Sequence, residues 1–376
     1  MLKNFFQDNF KNYWRNIDKT IFVSFLLLFV LGIFFSFAST STLAGERLDK
    51  NYYFFFSKHL IFATLAIFLM ILISFIQLNF FKKIVIPIFV VSVISLILVL
   101  FFGVEVKGSK RWLDLLFFRF QPVELVKPFF ILFIAEILSK DNFKTSKISY
   151  FFSFLVLIMP CIILLNQPDV GQTILLILSW LAVIFVSGIK LIYIFSLFGI
   201  TIGSIIALLL TFPDKFSYVF RRVEIFFDPT KGDRFQSRNA MDAIREGGLT
   251  GQGMGEGTLK VRVPEAHTDY IISVIAEEFG SIISILLICI FLYISFRIVK
   301  FALSEDKKFI KISLSGLASL LIFQSFIHIG VNTSLLPTTG MTLPFISYGG
   351  SSMIGSAILA GIILNFTKRR YPNENY

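Results

Sequence analysis

The chain has 376 residues, 56% of them hydrophobic and only 16% charged, with a formal net charge of +11. A soluble domain carries about 25% charged residues; here the apolar residues run in long stretches, which excludes a soluble globular enzyme and indicates an integral membrane protein. The positive balance reads as the basic flanks of membrane helices rather than a nucleic-acid surface, and Cys161 and Cys289 sit in apolar runs with neither metal-ligand spacing nor a disulfide framework.

Residues 1–19 are polar and mixed in charge. The apolar run that follows, 21–37, exceeds the roughly 7–15 residues of a cleavable leader core, so it predicts a retained first membrane helix. At roughly 17–25 apolar residues per span, about ten transmembrane helices are expected: 20–38, 59–78, 84–102, 122–139, 149–166, 172–189, 191–212, 270–296, 309–332 and 349–367. The expected fold is all-α and polytopic, one membrane domain over 1–376. It has cytoplasmic tails at 1–19 and 368–376 and one long extracytoplasmic loop, 213–269, between helices seven and eight.

Basic residues set the orientation. Clusters at 3–15, 82–83, 140–147, 190, 297–308 and 368–370 fall on one face if the spans alternate, so that face is cytoplasmic and both termini lie inside. Two outward loops break the rule. The long loop includes Arg221, Arg222, Lys260 and Arg262, but long loops translocate whatever their charge. The short loop, 103–121, sets Lys107, Lys110, Arg111 and Arg119 against Glu105 and Asp114. Cations at headgroup level suit an anionic ligand such as a lipid phosphate; ordinary headgroup contact is the other reading.

Several polar stretches lie at the ends of, or inside, apolar spans. Gln121-Pro122-Val123-Glu124-Leu125-Val126-Lys127 opens the fourth. Pro122 suits a helix start. Glu124 and Lys127 share a face, either as a structural ion pair or lining a cavity. Asp169, in the short joint at 166–173, can cap the next helix. Gly251-Gln252-Gly253-Met254-Gly255-Glu256-Gly257 lacks the βαβ context of a nucleotide loop and reads as a turn bringing the chain back to the membrane. Pro264-Glu265-Ala266-His267-Thr268-Asp269 groups two carboxylates and one of three histidines before an apolar helix. Ionisable groups there are costly to dehydrate and more often serve chemistry than packing; an N-cap role for Asp269 is the structural alternative. In the ninth span Gln324, Ser325, His328 and Asn332 make one polar stripe. After it, Leu336-Pro337-Thr338-Thr339-Gly340-Met341-Thr342-Leu343-Pro344 cannot stay helical. Phe345-Ile346-Ser347-Tyr348-Gly349-Gly350-Ser351-Ser352 then enters the last span, and such irregular backbone must be buried in protein or line a cavity.

Lys110-Arg111-Trp112, Gln121-Pro122 with Glu124 and Lys127, Pro168-Asp169-Val170-Gly171, 264–269 with Ala276-Glu277-Glu278, and 336–352 follow one another as in the SEDS proteins (shape, elongation, division and sporulation). The chain resembles that family over essentially its whole length. Ala266, Thr338 and Thr342 follow the cell-division branch rather than the elongation branch. Val123 stands where Ser is usual, His328 where Asn is usual, and 239–246 is more charged than the family pattern.

The resemblance implies a peptidoglycan glycosyltransferase of the bacterial inner membrane at the division septum, which polymerises lipid II and releases undecaprenyl diphosphate. It implies Asp269 as the catalytic base. Lys110, Arg111, Arg262, Glu265 and His267 are expected to contact the lipid II pyrophosphate or sugars. Glu124, Lys127, Asp169, Gln324, His328, Asn332 and Ser347 are expected to line the cavity or hold its structure. No metal-ligand set is evident; a divalent cation, Mg2+ or Mn2+, is expected mainly on pyrophosphate oxygens. The chain has no acyl-enzyme transpeptidase domain, so a class B penicillin-binding protein, the division transpeptidase, and other divisome proteins are expected partners. The alternative is a lipid II flippase, since the polar stripe and broken segment suit a translocation path. Carboxylates and cations gathered on the outer face favour the enzyme.

Overall fold

A computed structural model describes residues 11, 13–39, 54–106, 108–115, 118–140, 147–214, 216–228 and 235–369. Lys3, Lys107, Lys144, Lys215, Lys231, Arg234, Arg370 and parts of both tails lie outside them. Among the described residues, helices overlie all ten expected spans: α1 (Lys19–Ser39), α2 (Phe54–Phe75), α3 (Leu78–Phe102), α4 (Val123–Ser139), α5 (Lys147–Asn166), α6 (Val170–Val186) and α7 (Leu191–Thr211). The long loop then folds as α8 (Ser217–Phe227) and α9 (Phe235–Gly247), followed by α10 (Ile271–Leu303), α11 (Lys308–Asn332) and α12 (Gly350–Phe366). Six of these (α1, α2, α3, α5, α10 and α11) are long and apolar enough to cross a membrane. The chain is a multi-pass membrane protein.

The helices are apolar on most of their circumference, because lipid and protein interior both accept apolar side chains. Association therefore depends on close packing by small residues. The last helix shows this. Gly355, Ser356, Ala357, Ala360 and Gly361 are buried in α12, which packs against α2, where Ala63 and Ala66 are fully buried. The helices α4, α6 and α12 have 17 residues each. That is about 26 Å of helix, short of a hydrocarbon core of about 30 Å, and all three are largely enclosed by neighbours. The two ends of the described chain meet. Arg369 N–H donates to Asn16 O at 2.8 Å, and Lys368 Nζ stands 4.9 Å from the Tyr13 ring. Asp18, at the start of α1, pairs with Arg297 near the end of α10 at 3.0 Å. The N- and C-terminal flanks therefore share one end of the bundle.

Three features differ from the expected fold. The segment 103–121 is a small antiparallel sheet, β1 (Val104–Val106), β2 (Ser109–Asp114) and β3 (Arg119–Phe120), in the order β1-β2-β3. Its register sets Glu105 opposite Lys110 and Asp114 opposite Arg119; opposite charges facing across strands are favourable. The eighth span runs on to Leu303 and is kinked at Gly280, where φ is 83°, a value that glycine adopts without penalty. The glycine-rich turn repairs this break. Gln252 N–H and Gly253 N–H donate to the carbonyls of Glu277 and Glu278 at 2.9 and 3.0 Å. Ser281 and Ile282 N–H donate to Gly248 O and Leu249 O at 3.0 and 3.3 Å. Buried backbone groups need such partners, so turn and kink form one unit. Lys260 and Glu278 close it as a buried ion pair, and Glu277 Oε1 accepts from Leu259 N–H at 2.6 Å.

Candidate active site

A cavity of about 1020 Å³ opens at the end of the bundle opposite the joined termini. Its walls come from the first turns of α2 (Phe54, Phe55, Lys58), from the sheet (Arg111, Trp112, Asp114, Arg119), from Arg222 on α8, and from Glu265, Thr268, Asp269 and Tyr270. Its floor is the broken segment after α11, with Thr338, Gly340 and Thr342, and the start of α12.

The polar stripe on α11 holds that floor in place. His328 Nδ1–H donates to Met341 O at 2.7 Å, and Gln324 Nε2 donates to Thr342 O at 3.0 Å. Phe345, with φ 66°, plugs into α1 between Phe25 and Phe29, at ring distances of 5.3 and 5.0 Å. The irregular segment is thus buried in protein, as a non-helical stretch at membrane depth must be.

Asp269 is fixed through its backbone. Three consecutive carbonyls each accept a hydrogen bond: His267 O from Tyr348 N–H at 2.9 Å, Thr268 O from Ser347 Oγ at 2.6 Å, and Asp269 O from Asn332 Nδ2 at 2.9 Å. Glu265 starts the turn in the left-handed region, φ 57°, and its carbonyl accepts from Thr268 and Tyr270 N–H. Strained backbone of this kind collects at functional sites. Asp269 does not cap α10, whose capping residue is Tyr270 with no side-chain cap bond. The Asp269 carboxylate lies beside Gly340, and so does the Arg111 guanidinium. A methyl group on Gly340 would stand 3.5 Å from Asp269 Oδ2 and 3.6 Å from Arg111 Nη1.

Arg111 enters the protein because strand residues alternate in direction. Lys110 is exposed, whereas Arg111 is buried. The Arg111 Nε donates to Gln167 O at 3.3 Å, Nη2 donates to Pro168 O, and Asp169 lies 3.8 Å from Nε. Asp169 also caps α6, accepting from Gln172 N–H at 3.4 Å. Beside Arg111 stands Arg222, whose Nη1 donates to Thr338 O at 3.1 Å. Burial, then the neighbouring Arg111, holds the Arg222 guanidinium below its ordinary range. Burial pushes the Tyr218 hydroxyl, which donates to Leu165 O at 2.9 Å, up to about 12.

Of the residues expected to touch substrate, Arg111, Glu265 and Asp269 line this cavity. Lys110 and Arg262 are exposed outside it, and His267 stacks with Phe55 and Tyr348 at 4.7 and 5.6 Å, outside the lining. The expected cavity residues are supports rather than lining. Glu124 and Lys127 pair at 2.8 Å in the bundle interior, Lys127 also donating to Gln324 Oε1 at 3.1 Å, and they border a void of only about 10 Å³. His328, Asn332 and Ser347 hold backbone, and Asp169 holds Arg111. The sequence reading placed Arg119 among the loop cations suited to an anionic ligand but assigned no site role to Lys58, Arg222 or Tyr270. The i, i+4 spacing of Tyr218 and Arg222 on a short amphipathic helix was the available signal for the last wall. Among the described residues no group of three or more His, Cys, Asp or Glu converges on a point where a metal could bind.

A family model described as "Cell cycle protein", covering FtsW, RodA and SpoVE, matches residues 18–371. The chain belongs to the FtsW/RodA/SpoVE family. The relatives support the FtsW branch. One from Caulobacter vibrioides, named a probable peptidoglycan glycosyltransferase FtsW, is 34% identical over 95% of this chain and 91% of its own length. Another so named, from Haemophilus influenzae, is 32% identical over 99% and 96%. Among solved structures, a chain from a peptidoglycan synthase complex, described as coordinating polymerization and crosslinking, has a TM-score of 0.76. It is 26% identical and covers 93% of this chain and 97% of its own. RodA of Thermus thermophilus, at TM-score 0.68, 24% identity and coverage of 93% and 96%, shares the fold.

Proposed function

We propose that this FtsW-type protein is a peptidoglycan glycosyltransferase that polymerises lipid II on the outer face of the bacterial inner membrane, at the division septum. The observation that carries the reading is one cavity lined by a backbone-fixed carboxylate, Asp269, and a buried guanidinium, Arg111, both beside Gly340. Glycosyl transfer needs both groups: a base for the attacking hydroxyl and positive charge for the leaving diphosphate. In this reading Asp269 takes the proton from the 4-hydroxyl of the acceptor sugar as that oxygen bonds to C1 of the donor. The C1–O bond to the diphosphate breaks, and its electron pair leaves with undecaprenyl diphosphate. Trp112, Phe55 and Phe118 supply apolar wall for the lipid-borne headgroup.

A divalent cation, Mg2+ or Mn2+, fits this site only as an ion carried by the diphosphate, since Glu265, Asp269 and Asp114 line the cavity without forming a ligand cluster. Bound there, it would supply further charge neutralisation. Cross-linking of the strands needs a transpeptidase, and we propose a class B penicillin-binding protein as the partner, alongside other divisome proteins; a synthase complex among the structural neighbours supports this.

The test is reconstitution with the cognate partner in vesicles bearing labelled lipid II. The proposal expects glycan strands and released undecaprenyl diphosphate. Movement of lipid II across the bilayer without polymer would overturn it in favour of a flippase. The 10 Å³ void beside Glu124 and Lys127 argues against an open polar path through the bundle.

A further inference from the structure

We propose that Arg222 and the Tyr270 hydroxyl, together with Arg111, form the diphosphate site of this cavity, next to the Asp269 base. The inference rests on the glycosyltransferase reading and identifies where its leaving group is held.

Three observations carry it. First, two guanidiniums share one wall, and the carboxylate placed against them is Asp169, which also caps α6. On this wall two cations stand against one carboxylate, a locally positive surface suited to an anion, with Asp269 the next carboxylate near Arg111. Second, neither guanidinium is used up by the protein. Arg111 gives its Nε and Nη2 to the 167 and 168 carbonyls, and Arg222 gives one Nη to Thr338 O. Each carries five N–H donors in a planar fork suited to phosphate oxygens. Third, Tyr270 is 2% exposed and lines the cavity, yet its hydroxyl has no hydrogen-bond partner among the described residues. An unpartnered buried hydroxyl is costly, and this one lies within electrostatic reach of both Asp269 and Arg222. A phosphate oxygen on this wall would accept from it and be neutralised by both guanidiniums.

The chemistry balances. As C1–O cleaves, the electron pair stays on the diphosphate oxygen, which gains charge against Arg111 and Arg222. The acceptor proton goes to Asp269.

A phosphodiester headgroup offers similar oxygens, so the test uses two probes, undecaprenyl diphosphate and phosphatidylglycerol, with the full chain and its partner. The variants are Arg222→Ala, Arg222→Lys, Tyr270→Phe and, as control, Arg221→Ala, an exposed neighbour on α8. Arg222→Ala should weaken undecaprenyl diphosphate binding about 10- to 100-fold, with Lys recovering only part because it lacks the fork. Tyr270→Phe should weaken it several-fold while the melting temperature holds or rises, because the orphan hydroxyl is gone. Phosphatidylglycerol binding and Arg221→Ala should show no change. Wild-type affinity in both Arg222→Ala and Tyr270→Phe overturns the proposal, as does an equal loss for both probes. If Arg222→Ala does not fold, Tyr270→Phe decides, because it removes one oxygen atom from a buried ring. Should the wild type polymerise lipid II while these variants keep its KM, this inference alone fails. Should it make no strand at all, the glycosyltransferase reading fails, and the binding data still judge the site.

Discussion

Gly340 lies beside the Asp269 carboxylate and the Arg111 guanidinium with φ 72°. An L side chain there costs about 1–2 kcal/mol, and its methyl group would touch both groups. Gly340→Ala should therefore lower the melting temperature slightly and lower kcat more than KM, read from lipid II turnover beside a thermal scan. The same scale shows what the sequence could give. Asp269 stood out because an acidic, histidine-bearing stretch before an apolar helix has no packing use. Lys110 and Arg111 looked equivalent, because a short loop has no defined faces. In the strand they point opposite ways, and only Arg111 reaches the cavity. Arg262 and His267 looked usable by sequence proximity to Asp269, but the left-handed turn at Glu265 directs the chain otherwise.

Turn 251–257 and the Gly280 kink act as one element, tied by the buried Lys260–Glu278 pair. This unit sits directly before the 264–269 segment, so it sets where Asp269 lies. Removing one partner of a buried pair costs about 3–5 kcal/mol, whereas an apolar replacement of both is far better tolerated. Lys260→Met should thus destabilise strongly, and Lys260→Met with Glu278→Leu should recover most of the loss, as measured by unfolding in detergent. Had the pair been a mere surface contact, the single change would cost under about 1 kcal/mol. The apolar helices were legible because long apolar runs admit little else, and six of them in the described residues are long enough to cross a membrane. The sheet was not, since its strands of two to six residues are too short for alternation to show. The kink was not, because periodicity continues through Gly280 while its backbone does not.

At the scale of the whole molecule, the joined flanks around Asn16 and Arg369 fix both ends of the described chain to one end of the bundle and the cavity to the other. The positive residues predict that the joined end is cytoplasmic. A cysteine placed at Glu256, beside the cavity's loop, should then react with an impermeant thiol reagent in intact cells, and one at Lys307 only after permeabilisation. The reverse pattern would invert the orientation and put the cavity on the wrong side for lipid II polymerisation. In the proposed orientation the fold presents a cavity with one positioned carboxylate on the outer face. The most direct measurement compares wild type and Asp269→Asn, each with its cognate transpeptidase, for glycan strands made from labelled lipid II. Because Asp269 does not cap α10, the variant should keep the wild-type melting temperature and make no strand. Strands of normal yield and length from a folded Asp269→Asn protein would contradict the account.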